Sequence, residues 1–224
     1  MPRAALFDVD GTLTDTTYLH VNAWWEALRQ AGHTVPTAAL HGAVGLGAGD
    51  LLDHVLGTGR DHSRDASISA AHKTLYGTCH ERLSALEGAR DLLYTLHGRG
   101  WRIVLATSAQ GSELEALRRA LDADAVISGT SSADDVSEGK PAPGPVDQAR
   151  QLAGAAREQT VFVGDAVWDM RAASRAGVTP LAVLSGGIPR ADLEEAGAQQ
   201  VYANPADLLA GLDGSAFARL EREG

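Results

Sequence analysis

The 224-residue sequence predicts an α/β fold, a parallel sheet with helices on both faces, with an all-helical segment inserted after the first strand. Three observations predict it. Short β-rich runs alternate with stretches of helical period through most of the chain, as strands joined by crossover helices require. From about residue 17 to 83 the alternation stops and only helical patterning remains. Acidic or hydroxyl residues stand directly after three of the apolar runs, at the carboxyl ends where such sheets bind their ligands.

The strands are expected at residues 4–7, 103–106, 125–127, 161–163 and 181–184. In the inserted segment, Trp24, Leu28 and Ala31 share one helical face, and Leu51, Leu52, Val55 and Leu56 form a second apolar cluster. Helices between the later strands follow from Leu92, Leu93 and Leu96, then Leu114, Leu117 and Leu121, then Val146, Ala149 and Leu152.

The first strand opens into Asp8-Val9-Asp10-Gly11-Thr12. In a strand, residues i and i+2 point to one side, so two carboxylates would leave the strand end together. Unpaired, they would repel and raise one another's pKa. A hard divalent cation such as Mg²⁺ removes that conflict, which predicts metal-assisted chemistry at Asp8. Thr107 and Asp165 also follow apolar runs, so all three should meet in one crevice.

Composition narrows the partners. The formal charge is −10 and no Lys/Arg-rich stretch appears, which argues against nucleic acid. No apolar stretch approaches the ~20 residues of a spanning helix, and Asp8 comes too early for a secretory signal. A cytoplasmic protein without a membrane role is expected. The single cysteine, Cys79, excludes an internal disulfide or a thiolate zinc cluster and is read as a plain helix residue.

Four motifs carry a resemblance. They are Leu6-Phe7-Asp8-Val9-Asp10-Gly11-Thr12, Thr107 after Ile103-Val104-Leu105-Ala106, Lys140 in Gly139-Lys140-Pro141-Ala142-Pro143, and Gly164-Asp165-Ala166-Val167-Trp168-Asp169. In this order they make the chain resemble the haloacid dehalogenase (HAD) superfamily, nearest its phosphoglycolate phosphatase and β-phosphoglucomutase branch. The resemblance implies a Rossmann-like core of residues 1–15 and 85–224. Residues 16–84 would be a helical cap that closes over the strand ends about linkers near residues 15–17 and 85–88. It implies Asp8 as the nucleophile that forms an aspartyl-phosphate, and Asp10 as general acid and then base.

Phosphate would be bound by the Thr107 hydroxyl, by the backbone N–H of Ser108 at the start of a helix, and by Lys140. Mg²⁺ would be held by the Asp8 side chain, the Asp10 backbone carbonyl and Asp165. Asp169 would hold a metal-bound water or orient Lys140, with a helix-dipole role as the other reading. Thr107 also reads as a helix N-cap. His20 either touches substrate or is an ordinary satisfied helix histidine. Gly45-Leu46-Gly47-Ala48-Gly49 is read as a substrate loop of the cap, and Trp25 and Trp168 as packing residues.

The expected function is Mg²⁺-dependent hydrolysis of a small phosphate monoester, phosphoglycolate-like or a sugar phosphate. Carbon–halogen cleavage is disfavoured because family members that perform it lack the second aspartate. A sugar phosphomutase is the runner-up, but residues 42–49 hold no Lys or Arg for a second phosphate, leaving His41, His54 and Lys73 as the nearest basic groups. Lys73 is also the sole cap lysine that a Schiff-base phosphonate hydrolase could use, and nothing around it suggests a lowered pKa. A catalytically silent binding protein should have lost one of Asp8, Asp10, Lys140 or Asp165, and all are present. The sequence assigns no oligomeric state.

Overall fold

The computed structural model describes residues 2–132 and 138–223. Six parallel strands, β1 (Arg3–Phe7), β2 (Trp101–Ala106), β3 (Ile127–Ser131), β4 (Thr160–Gly164), β5 (Thr179–Val183) and β6 (Gln200–Tyr202), form one sheet in the order β3-β2-β1-β4-β5-β6. After β3 the chain crosses back to the far side of β1. The reversal opens a crevice at the carboxyl ends of β1, β2 and β4, where sheets of this order bind ligands. Register brings the motifs level: Phe7 pairs with Leu105 and with Val163, so Asp8, Thr107 and Asp165 emerge side by side.

The central strands are apolar on both faces because helices cover both. Phe7, Ile103, Leu105, Val161 and Val163 pack on one face with Leu92 and Leu96 of α5 (Ala89–Gly98), Leu117 of α6 (Gly111–Leu121) and Phe217 of the C-terminal helix. Leu6, Val104 and Phe162 face the other way, onto α7 (Gly144–Ala153) and α8 (Val167–Ala176). Gly177, at φ +70°, stops α8 in the left-handed conformation that a Cβ disfavours.

Between β1 and β2 lie α1 (Thr17–Gln30), α2 (Thr37–Ala43), α3 (Ala48–Leu56) and α4 (Asp65–Gly77). Val21, Trp24, Leu28, Leu40, Leu51 and Ile68 give this segment an apolar cluster of its own. Its two connections run together: Asp15 N–H donates to Ser84 O at 3.1 Å, and Leu86 N–H donates to Leu13 O at 2.9 Å.

Several expectations are corrected. The third strand is Ile127–Ser131 rather than residues 125–127, because Val126 is buried in the turn that precedes it. As an edge strand, Ile-Ser-Gly-Thr-Ser needs no apolar run. The sixth strand, at the opposite edge, is equally unmarked in sequence, and the fifth ends at Val183 with Leu184 entering a 3₁₀ turn. Leu152 lies half in solvent while Ala153 fills the core position. Cys79 sits in the turn beyond α4 rather than in a helix. Trp25 is not a packing residue: it is 38% exposed, with the Arg29 guanidinium over its ring. Among the described residues no helix is long and apolar enough to cross a membrane.

Candidate active site

Asp8 continues the β1–β4 ladder by one residue, its N–H bonded to Val163 O at 2.9 Å, which fixes its side chain off the strand end. Lys140, from the segment before α7, places Nζ 2.5 Å from Asp8 Oδ1 and 2.8 Å from Asp169 Oδ1. All three side chains are buried. Asp169 stands in the first turn of α8, where its Oδ2 accepts from the N–H groups of Asp165 (3.2 Å) and Ala166 (3.1 Å). One oxygen satisfies the helix start and the other orients Lys140.

Asp165 leaves β4 beside Asp8, and the Thr12 hydroxyl lies 3.0 Å from Asp165 Oδ1 and 3.3 Å from Asp8 Oδ2. Two glycines make room for it. A Cβ on Gly11, whose φ is +79°, or on Gly186 would overlap the Asp165 carboxylate.

Electrostatics decide what this cluster can hold. Burial pushes the Asp8 carboxyl up to about 7, with Lys140 opposing and Asp169 and Asp10 reinforcing the rise. Burial, with Asp8 and Asp169 nearby, raises Asp165 well above the usual carboxylate range. Lys140 loses charge stability to burial, but Asp169 and Asp8 more than restore it and hold the ammonium form above its ordinary value. Asp8, Asp165 and Asp169 each offer an oxygen within 4.8 Å of the others. Three buried carboxylates against one ammonium are short of positive charge, and an all-oxygen donor set suits Mg²⁺. The residues fit that ion.

The Asp10 side chain does not join this group. It turns to Thr16 Oγ1 (2.7 Å) and His20 Nε2 (3.2 Å), so only its backbone carbonyl is left for the metal role expected of it. His20 extends the contact through Nδ1 to His72 Nε2 at 3.2 Å. Burial opposes ionisation of Asp10, yet the His20 charge and the bonds from His20 and Thr16 prevail and hold it below its ordinary value. His20 moves the opposite way for the same reason: burial disfavours its charge, and Asp10 and Glu113 restore it. Burial, helped by the His20 charge, holds His72 down to about 3, so His72 is neutral. When His20 is protonated, both its N–H groups donate, Nε2–H to Asp10 and Nδ1–H to His72.

A cavity of about 360 Å³ lies between the strand ends and the insert. Asp8, Asp10, His20, Thr107, Ser108 and Lys140 all line it, while Asp165 and Asp169 are buried beneath. Thr107 is no helix N-cap: its Oγ1 accepts from Ala109 N at 3.0 Å, a local turn. Nor does Ser108 start a helix, since α6 begins at Gly111. Residues 108–110 form a loop between β2 and α6, and the exposed Ser108 lines the cavity from it.

The loop of residues 45–48 forms part of the wall. Trp168 does more than pack: its Nε1 donates to Gly42 O at 3.0 Å and its ring meets His54 edge-on, bridging core and insert. The sequence reading passed over Thr12, Thr16, His72 and Glu113. Thr12 and Thr16 had a usable signal, hydroxyls within eight residues of Asp8. Glu113 had none, since an acid in the first turn of a helix is ordinarily there for the dipole.

Residues 2–177 match the family model of haloacid dehalogenase-like hydrolases, and the chain belongs to that family of enzymes. Among its relatives, it is similar to the phosphoglycolate phosphatase of Rhodospirillum rubrum, 29% identical over 217 residues that cover 93% of this chain and 90% of that one. A hydrolase from Pseudomonas syringae superposes with a TM-score of 0.91 at 35% identity, covering 96% of this chain and 99% of the other. The β-phosphoglucomutase of Clostridium difficile shares the fold, with a TM-score of 0.84 at 18% identity over 100% of this chain and 98% of that one.

Proposed function

We propose that this chain is a Mg²⁺-dependent phosphatase that hydrolyses a small phosphate monoester, a cytoplasmic metabolite, through an aspartyl-phosphate on Asp8. The observation that carries the reading is the contrast between the two aspartates of one strand end. Asp8 lies in the cation-poor cluster against Lys140, whereas Asp10 is held to the other side of the cavity by Thr16 and His20.

In the first step an Asp8 carboxylate oxygen attacks phosphorus and the bond to the ester oxygen breaks, while Asp10, sharing a proton with His20 across their 3.2 Å contact, passes it to the leaving alkoxide. In the second, Asp10 takes a proton from water as that water attacks phosphorus, and the bond to Asp8 breaks to free phosphate. Lys140, positioned by Asp169, faces the charge on the transferring group, and the Thr107 hydroxyl and Ser108 line its binding site. Asp8 and Asp165 with the Asp10 carbonyl would hold Mg²⁺, which would supply charge neutralisation for the phosphoryl oxygens. Closure of residues 16–84 over the core excludes water from the cavity.

Water as acceptor is supported over phosphoryl transfer to a sugar phosphate by the wall of the cavity. A mutase holds a second phosphate, and Val44, Gly45, Leu46, Gly47 and Ala48 offer it no cation, leaving Lys73 as the one lysine the insert brings to the cavity. The test is hydrolysis of p-nitrophenyl phosphate with Mg²⁺ and with EDTA, in wild type and Asp8→Asn, followed by phosphate release from a panel of esters. Metal-dependent activity that Asp8→Asn abolishes is expected. Folded, metal-bound protein that releases phosphate from no ester overturns the reading.

A further inference from the structure

Asp8, Thr107 and Lys140 line the part of the cavity assigned to the phosphoryl group; Glu113 of α6 and Trp24, His72 and Lys73 of the insert line it as well, and a Glu113 oxygen lies within 4.8 Å of the Asp10 carboxylate. Glu113 is not placed as a surface acid. Glu115 on the same helix stands in solvent, whereas the Glu113 side chain is 18% exposed and its Oε1 lies 3.8 Å from His20 Nε2, across the junction of core and insert.

Two of the basic groups on the cavity already have acidic partners. Among the described residues lining it, the basic groups are Lys140, His20 and Lys73. Lys140 is committed to Asp8 and Asp169. His20 stands between Asp10 at 3.2 Å and Glu113 at 3.8 Å, while Lys73 is exposed to solvent. Burial raises the Glu113 carboxyl, with His20 opposing the rise. A second negative charge on a substrate meets the Glu113 carboxylate in a partly desolvated space, where like charges repel strongly. Hydroxyl groups meet the opposite condition. A carboxylate is an acceptor with several lone pairs to offer them, and the stacked Trp24–His72 pair, 4.1 Å between centroids, gives a carbon skeleton a flat wall.

We propose that Glu113 is a specificity-determining residue that selects phosphate esters of neutral, hydroxyl-bearing alcohols and rejects substrates carrying a second anionic group, whether carboxylate or phosphate. The inference rests on the phosphatase reading above and narrows it to a class that leaves out phosphoglycolate, the substrate named for the relative in Rhodospirillum rubrum.

The experiment compares kcat/KM for glycerol 1-phosphate and sorbitol 6-phosphate with that for 2-phosphoglycolate and fructose 1,6-bisphosphate, in wild type, Glu113→Gln and Glu113→Asp, with p-nitrophenyl phosphate as reference. Wild type is expected to favour the neutral-alcohol esters by about tenfold or more, roughly 1.4 kcal/mol of discrimination. Glu113→Gln, which keeps size and hydrogen bonding but not charge, should lose most of that ratio through faster turnover of the dianionic class. Glu113→Asp should retain it. Preference of the wild type for phosphoglycolate, or an unchanged ratio in Glu113→Gln, overturns the inference while leaving the phosphatase reading intact. Failure to hydrolyse any ester, p-nitrophenyl phosphate included, overturns both.

Discussion

Asp8 is a liability to the fold when no metal is present, and Asp8→Asn measures how large a one. Its carboxyl is pushed from an ordinary 3.8 to about 7, so the folded chain holds the Asp8 proton more tightly than the unfolded chain does. Stability from this group is therefore greatest at low pH and is lost as pH rises from about 4 through 7. From those two values, ionising Asp8 weakens the metal-free fold by about 4 kcal/mol at pH 7 and about 2 kcal/mol at pH 5. Asparagine keeps the shape of the neutral form and never ionises. In EDTA at pH 7, Asp8→Asn should melt above wild type, by roughly 10 °C if a chain of this size moves about 2–4 °C per kcal/mol. At pH 5 the gap should be about half as large.

Asp165, raised by the same causes, steepens the wild-type slope in the same sense. Asp10, held below its ordinary value, opposes it only as pH falls below about 4. Mg²⁺ should close the gap by stabilising wild type more than the variant. Thermal unfolding followed by circular dichroism, at both pH values with EDTA and with Mg²⁺, is the assay. An Asp8→Asn variant that melts at or below wild type in EDTA at pH 7, or a gap that does not shrink on acidification, would refute the reasoning.

Other variants separate the remaining roles. Lys140→Met should lower kcat by about 10²–10³-fold, and it should destabilise the metal-free fold by about 3–5 kcal/mol because it strands buried carboxylates. Steady-state rates and melting curves check the two effects independently. Asp10→Asn should slow the first-turnover release of alcohol from alkyl phosphates by about 10²–10⁴-fold and the first-turnover release of nitrophenolate from p-nitrophenyl phosphate far less, since nitrophenolate leaves without a proton; equal losses in that first turnover would remove Asp10 from the acid role. Gly186→Ala should abolish the Mg²⁺-induced rise in melting temperature, because its Cβ would occupy the space of the Asp165 carboxylate.

The parts of the site legible in the sequence are those fixed by strands. A buried parallel strand reads as an apolar run, and whatever follows it must lie at the carboxyl edge, so Asp8, Thr107 and Asp165 could be brought together without coordinates. Lys140 needed the resemblance, because nothing local in Gly139-Lys140-Pro141 separates a buried lysine from a solvated one. The edge strands escaped because Ile127–Ser131 and Gln200–Tyr202 are half exposed and need no apolar pattern. The two faces of the Asp10 environment escaped for another reason. His20–His72 joins residues 52 positions apart through the packing of α1 on α4, and Glu113 reaches His20 from the core, so it takes the folding of the insert and its docking on the core to place them.

The paired connections of the insert carry a consequence for the history of such enzymes. Leu13–Leu86 and Asp15–Ser84 hold the outgoing and returning chain together, with Thr14 bridged to Ala85, before either enters the helices. Whatever lies between these points starts and ends at one place, so the core sees the same boundary however long or short the excursion is. The core that carries Asp8, Lys140 and Asp165 can therefore stay unchanged while the excursion above it is lengthened, trimmed or exchanged. New substrates become accessible by grafting at a single hydrogen-bonded junction, without rebuilding the chemistry beneath it.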